Sequence, residues 1–220
     1  MDLLKRLVKG GGHPLPPLPD EVRVRLEACL QRPPEAPAPL TLARYVVLAI
    51  VSEGDDPAAQ TIASIAALGV RQGVFGAADA VLIDSVADIV RLGDFQLQRA
   101  LLACMEHVGP SPLLTWQARP VGEAISRLYG SHLGHAWSPP WISLATLLPR
   151  LFGRRGPAGN AMDDWLAHFG IEIPGRLSAL PDAVAMARLL QLALSEAARQ
   201  GIESSTQLRE FERALRWPGK

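Results

Sequence analysis

The sequence predicts an α/β fold in which a mixed sheet has helices on both faces and is preceded by a proline-rich, helical N-terminal arm. Three features of the sequence predict it. Eight of the 19 prolines lie in the first 40 residues, and proline favours extended spacers. The next part of the chain contains β-branched apolar runs bounded by turn residues, which are typical of buried strands. Strand patterns then alternate with capped helical patterns, so helices should cover both faces of the sheet.

The N-terminal arm comprises residues 1–39 and should contain one helix over residues 20–31. Asp20 precedes apolar residues at helical spacing, so we predict that it is the N-cap. The apolar face of this helix is formed by Val22, Leu26, Cys29 and Leu30. Because prolines flank the helix on both sides, we interpret the arm as tethered to the main domain and as a candidate docking element for a partner.

Five apolar runs predict strands. In chain order they cover residues 43–51, 61–73, 74–83, 112–116 and 139–144. Gly73 should open a hairpin between the second and third strands, because glycine adopts turn conformations without steric cost. We expect the first three strands to lead the sheet and residues 113–116 to lie beside the first strand.

Five further segments have helical patterns. They cover residues 94–109, 122–129, 160–170, 182–200 and 206–215. We predict that Asp94 and Asn160 are N-caps and that Gly170 stops its helix. These elements place the main domain at residues 40–203, with a C-terminal helix and tail over residues 204–220.

Composition limits the function classes. The chain has 22 Lys and Arg against 22 Asp and Glu, so its net charge is zero. This argues against a nucleic-acid binder that relies on bulk positive charge, although a local basic patch stays open. The two cysteines, Cys29 and Cys104, are isolated and favour a reducing cytoplasm. Since no apolar run reaches the roughly 18 residues of a membrane span, we expect no membrane association.

Four segments between Tyr45 and Gln200 carry ordered motifs. They read YVVLAIVSEGDDPAAQTIASIAAL, LLTWQARPVGEAI, WISLATLLPRLF and RLSALPDA. Together they resemble the DEDDh 3′–5′ exonucleases, the family that includes the epsilon proofreading subunit of bacterial replicative DNA polymerase. The resemblance covers residues 45–200 of the 220. It implies a bacterial protein with a ribonuclease H-like fold and, in active members, two-metal hydrolysis of a phosphodiester at a 3′ end.

The resemblance also implies where the catalytic residues of the family would lie. Its Asp, Glu, second Asp and His positions are occupied here by Ala49, Val51, Val121 and Leu177, whereas Asp182 is retained. Two closely spaced divalent ions need several anionic oxygens, and a general base needs a titratable group. We therefore predict no catalytic residue and no bound metal, with Asp182 as the remaining candidate ligand. The five side chains should converge in one cleft.

Two sets of carboxylates leave alternatives open. Glu53, Asp55 and Asp56 follow the first strand and would rebuild a metal site if they reached it. We interpret them instead as a solvated turn with Asp56 as a capping residue. Asp182 either caps its helix or keeps a metal or polar contact. An active exonuclease with a rearranged site would use Mg²⁺ or Mn²⁺ on DNA or RNA, whereas a degenerate domain would need no cofactor.

Four residues near the former catalytic positions are candidate binding residues. They are Trp116, Gln117, Arg119 and Arg176. Aromatic rings beside arginine stack single-stranded bases or anchor a protein partner, or they simply fill a cleft that has lost its polar contents. We favour a catalytically degenerate, cytoplasmic domain that acts as a regulatory module on a protein partner. Non-catalytic nucleic-acid binding is the alternative without catalysis.

Overall fold

The computed structural model describes residues 17–33, 38–53, 61–173, 175 and 178–214. These residues form five strands and eight α-helices, with a 3₁₀ turn at Gly153–Arg155. In chain order they are α1 (Asp20–Leu30), β1 (Arg44–Glu53), β2 (Thr61–Arg71), β3 (Val74–Ile83), α2 (Val86–Leu92), α3 (Asp94–Val108), β4 (Leu113–Thr115), α4 (Ala118–Leu133), β5 (Trp141–Ser143), α5 (Leu144–Phe152), α6 (Met162–His168), α7 (Ala179–Arg199) and α8 (Ser205–Arg213). No helix in this part of the chain is both long and apolar enough to cross a bilayer.

The strands form one mixed sheet in the order β3-β2-β1-β4-β5. The pairs β1–β2 and β2–β3 are antiparallel, whereas β4 runs parallel to both β1 and β5. The β2–β3 hairpin turns at Gln72 and Gly73, whose φ angles are 52° and 72°. Two left-handed residues in a hairpin turn match the twist of the flanking strands. The predicted mixed sheet, its Gly73 hairpin and the position of β4 beside β1 are therefore confirmed.

Alternate residues of β1 enter two apolar clusters on opposite faces of the sheet. Tyr45, Val47 and Ala49 belong to a cluster with residues of α5, α6, α7 and α8, which we call the α7-side cluster. Val46 and Leu48 belong to a cluster with residues of α1, α2, α3 and α4, which we call the α3-side cluster. Because successive side chains of a strand point to opposite faces, this arrangement confirms that helices cover both sides of the sheet.

Two of the predicted N-caps are displaced by one residue. Pro19 is the N-cap of α1, and Asp20 is the first helical residue. Gly93 is the N-cap of α3, and Asp94 is again the first helical residue. A carboxylate is favourable anywhere in the first turn, because the helix dipole places partial positive charge there. The sequence pattern therefore does not distinguish the cap from the residue after it.

The predicted cap at Asn160 is also wrong. Ala161 is the N-cap of α6, and its N–H donates to the Asp164 carboxylate at 2.8 Å. The Asn160 side chain instead accepts a hydrogen bond from the Trp165 indole at 3.1 Å. Asn160 therefore fixes a buried aromatic ring beside the helix. The predicted stop at Gly170 agrees with its left-handed φ of 65° just after α6.

Helix α1 packs directly on α3. Val22 and Leu26 are buried in the α3-side cluster. The Arg25 guanidinium donates to both carboxylate oxygens of Glu106 on α3, at 2.9 and 2.6 Å. The helix of the predicted arm is therefore part of the packed structure, whereas residues 1–16 and 34–37 lie outside the described residues. The arm boundary at residue 39 stays a prediction.

A polar cluster joins the amino end of β1 to β3 and α3. The Arg44 guanidinium donates to an Asp79 carboxylate oxygen at 2.7 Å and to the His107 carbonyl at 3.1 Å. The hydrogen bond from Arg44 holds the pKa of Asp79 below its ordinary value. Burial, with a smaller contribution from Arg44, lowers the pKa of His107. Each group is held by its neighbours, so the cluster connects three elements of the fold.

Candidate functional site

The second half of β1 is apolar on the face that α7 covers. Ala49 is 3% exposed, lies opposite Ala66 of β2, and belongs to the α7-side cluster. Val51 is half-buried, lies opposite Ser64, and packs against the same cluster. Neither side chain carries an oxygen or nitrogen. These two positions of β1 therefore offer no side-chain ligand to a metal ion.

A serine of β2 connects this part of the sheet to the start of α7. Ser64 is buried, and its hydroxyl oxygen accepts a hydrogen bond from the Ala179 N–H at 3.3 Å. Ser178, in extended conformation, is the N-cap of α7. Asp182 lies in the first turn and is half-buried. The interpretation of Asp182 as the cap is therefore wrong, since the helix begins three residues before it.

The other carboxylates near β1 do not form a cluster with Asp182 in the described part of the chain. Glu53 is exposed at the end of β1 and lines a cavity of about 820 Å³ that also contacts α2 and α4. Those helices cover the face opposite α7. Asp55 and Asp56 lie outside the described residues. Among the residues that the structure describes, no group of three or more His, Cys, Asp or Glu side chains could hold a metal ion.

The remaining family positions have separate surroundings. Val121 lies in the first turn of α4 and packs against the α3-side cluster, not the α7-side cluster that contains Ala49. Leu177 and Arg176 lie outside the described residues. The structure thus brings Ala49 and Val51 together with the start of α7. The predicted convergence of all five positions stays a prediction.

Two of the predicted binding residues line an open cleft, which we call the α4 cleft. Gln117 and Arg119 contribute to this cleft of about 1380 Å³, between the first half of α4, residues 138–141 and the start of α5. Trp116 is half-buried and packs against the α7-side cluster. Its carbonyl accepts hydrogen bonds from the Ser143 hydroxyl and the Ala145 N–H, both at 3.0 Å. Trp116 is therefore a packing residue in this structure.

Two arginines of the cleft were not predicted from the sequence. Arg127 lies two turns after Arg119 on α4, and Arg213 reaches the cleft from the end of α8. The ring of Trp141 packs on Gly122, where an added Cβ would lie 3.0 Å from the indole nitrogen. Arg127 could have been identified only if the helix had been predicted to begin at Ala118, because Arg119 and Arg127 then lie eight residues apart on one helix. No sequence pattern places Arg213, because its position depends on how α8 packs.

The chain is similar in fold to several solved structures. No protein-family profile and no curated protein matches the chain. The nuclease domain of 3′hExo, a DEDDh family member bound to rAMP, is 15% identical with a TM-score of 0.50 over 74% of this chain and 95% of its own. Cell-death related nuclease 4 is 13% identical with a TM-score of 0.51, over 74% and 66%.

E. coli exonuclease I in complex with a dT13 oligonucleotide is 14% identical with a TM-score of 0.50 over 73% of this chain. The chain spans 43% of exonuclease I. These likenesses show the fold. It is the ribonuclease H-like fold of DEDDh-type exonucleases, which confirms the fold that the sequence motifs imply.

Proposed function

We propose that the chain is a catalytically degenerate 3′–5′ exonuclease-like domain that acts by binding, as a regulatory module for a protein partner. The observation that carries the proposal is the pair of apolar side chains at positions 49 and 51 of β1. Ala49 and Val51 occupy the positions that the motif register assigns to the first Asp and Glu, and both pack in the α7-side cluster. Two apolar side chains at these positions supply no oxygen that could bind a cation.

The chemistry of phosphodiester hydrolysis explains why these residues matter. Two divalent ions roughly 3.5–4 Å apart repel each other, and anionic oxygens must hold them. Alanine and valine supply none. In the same register, a leucine at position 177 could not take a proton from the attacking water as a histidine does. Binding does not need these groups, and the α4 cleft stays open to solvent and lined with polar side chains.

The compartment that we propose is a reducing cytoplasm. Cys104 is buried as a free thiol, and burial raises its pKa to about 11. Cys29 is half-buried and also free. Thiols that stay unpaired and protonated suit a reducing environment.

A degradation assay tests the loss of catalysis. Purified protein with Mg²⁺ or Mn²⁺ should not shorten a 3′-labelled single-stranded oligonucleotide of DNA or RNA above background. The variants Asp182→Ala and Asp94→Ala are a matched pair, because both remove an aspartate from the first turn of a helix. Degradation that Asp182→Ala abolishes and Asp94→Ala leaves intact would overturn the proposal. Degradation that neither variant changes is examined in the variant Glu53→Gln, Asp55→Asn and Asp56→Asn. Its loss there would also overturn the proposal, whereas degradation unchanged in all variants identifies a contaminating nuclease.

A gain-of-function variant supplies the converse test. Ala49→Asp, Val51→Glu, Val121→Asp and Leu177→His together restore the residue types of active family members. Loss of general-base catalysis typically costs ~10²–10⁴-fold in rate. Because the general base and the metal ligands act together, variants that restore only some of the four residues should stay inactive. If the cleft geometry of active members persists, so that the side chain at position 121 faces position 49, the fourfold variant should show nuclease activity that depends on divalent metal.

A further inference from the structure

We propose that the α4 cleft binds an acidic segment of a partner protein. This inference rests on the proposed binding function and names its surface and the chemistry of its partner. The cleft is about 1380 Å³ and is lined by the first half of α4, residues 138–141 and the β5–α5 junction. Arg213 from α8 completes its rim.

The walls of the cleft are held in place before any partner arrives. The Trp141 indole fills the space above Gly122, so the segment before β5 lies close against α4. On the other wall, the Ser143 hydroxyl donates to the Trp116 carbonyl at 3.0 Å and fixes the start of α5. A preformed surface binds with less loss of conformational entropy than one that must order on binding. The cleft is therefore suited to an extended ligand.

The charges in the cleft favour an anionic ligand. Arg119 forms an ion pair with Glu123, in which the Nε–Oε1 distance is 3.1 Å. Among the described residues that line the cleft, Glu123 is the one acidic side chain. Arg127 lies between this cleft and the cavity that contains Glu53 and Asp88. Within the described part of the chain, neither Arg127 nor Arg213 comes within the 4.0 Å of a carboxylate oxygen that defines an ion pair. The first turns of α4 and α5 also border the cleft, and the dipoles of these two helices add partial positive charge there. Two guanidinium groups thus remain to pair with carboxylates.

The remaining side chains favour a peptide over a nucleic acid. Hydroxyl and amide groups that can bond to an extended peptide backbone are supplied by Gln117, Ser126, Ser138 and Thr146. Single-stranded nucleic acids are held by several exposed aromatic faces and many cations. Among the described residues that line the cleft, the one aromatic side chain is Trp141, and its ring packs on Gly122. The zero net charge of the chain also provides no general attraction for phosphates.

Titration with defined probes tests this inference. The probe is a short synthetic peptide of alternating aspartate and serine, and its control replaces every aspartate with lysine. Binding to the full chain is followed by backbone amide chemical shifts at low and moderate salt, which detects millimolar affinity. We expect shifts confined to the first turns of α4 and α5 and to the end of α8, for the acidic peptide alone, and weaker binding as salt rises.

Charge-reversal variants locate the interaction. Arg127→Glu combined with Arg213→Glu should weaken binding about tenfold or more, because two exposed ion pairs become repulsive. Arg188→Glu, on the exposed face of α7, is the matched control and should change little. Arg213→Gln alone should give a smaller loss with the fold unchanged. Equal losses in the double variant and in Arg188→Glu would indicate general charge attraction and overturn the inference.

The peptide titration and the degradation assay test the binding site and the loss of catalysis independently. Absence of saturable shifts with the acidic peptide, or tighter binding of an oligo-dT strand at the same residues, would overturn the acidic-peptide site. Neither result would restore nuclease activity, which the degradation assay measures independently. Metal-dependent degradation with normal peptide binding would instead overturn the proposed loss of catalysis and keep the α4 cleft as a partner site.

Discussion

The substitution Val22→Ala tests whether the N-terminal helix is an integral part of the fold. Val22 of α1 is fully buried in the α3-side cluster. The change removes two buried carbon groups, which at ~0.8 kcal/mol each is about 1.6 kcal/mol of transfer free energy. Because the surroundings relax incompletely around the space left behind, the free energy of unfolding should fall by about 2 kcal/mol. Urea unfolding measures it, with the slope against urea unchanged.

The matched control is Val24→Ala, two residues further along the same helix. Val24 is 59% exposed, so the same two groups are only partly removed from water, and the loss should be about 0.6 kcal/mol. Alanine raises helix propensity equally at both positions, so that contribution cancels in the comparison. The two variants should therefore differ by about 1 kcal/mol or more. Equal effects would refute the packing of α1 and support a merely tethered arm.

Two further predictions concern local packing and pH. Gly156→Ala should destabilise the fold by about 1–3 kcal/mol, because the new Cβ would lie 2.6 Å from the buried Trp165 ring. Gly76→Ala is the control and should be nearly neutral, since no heavy atom lies within 4 Å of the added Cβ. The thermal unfolding temperatures of the two variants are compared. The pKa of Asp79 is lowered in the folded state by Arg44, so its contribution is present above the unfolded pKa of about 3.9 and is lost as pH falls through the lower folded value. Asp79→Asn should therefore reduce stability at neutral pH and flatten its decline in acid, and an unchanged acid slope in urea titrations would contradict this.

The sheet could be predicted from the sequence because its determinants are local. The first strand is apolar at nearly every position, as expected of a strand buried on both faces. Gly73 marks the hairpin because the turn needs left-handed backbone. Helix ends were less predictable. The predicted helix 122–129 extends over Ala118–Leu133, since Pro120 falls in the first turn, where its missing N–H costs nothing. The seven-residue α2 has too few turns for a recognisable period.

The candidate site was predictable only where side-chain alternation determines it. Ala49 and Val51 had to share a face of β1, and they do. The surroundings of Val121 depend on how α4 crosses the sheet, so its place in the α3-side cluster could not be read from spacing. The α4 cleft combines residues that are far apart in sequence, such as Arg119 and Arg213. Only packing brings them together.

The bonds that attach α7 to the sheet also bear on the order in which the chain can fold. The Ala179 N–H reaches Ser64 across 115 residues, and the Gln191 amide donates to the Gly73 carbonyl across 118. The three antiparallel strands pair with neighbours that are close in sequence. In contrast, each of the two hydrogen bonds from α7 to the sheet closes a loop of more than a hundred residues. Contacts between residues so far apart in sequence slow folding. During synthesis, the β1–β3 meander would emerge with one apolar face uncovered until α7 is made. A nascent chain therefore exposes this apolar surface from the completion of β3 at Ile83 until α7 has been made at Arg199. During that interval, chaperone binding or aggregation competes with folding.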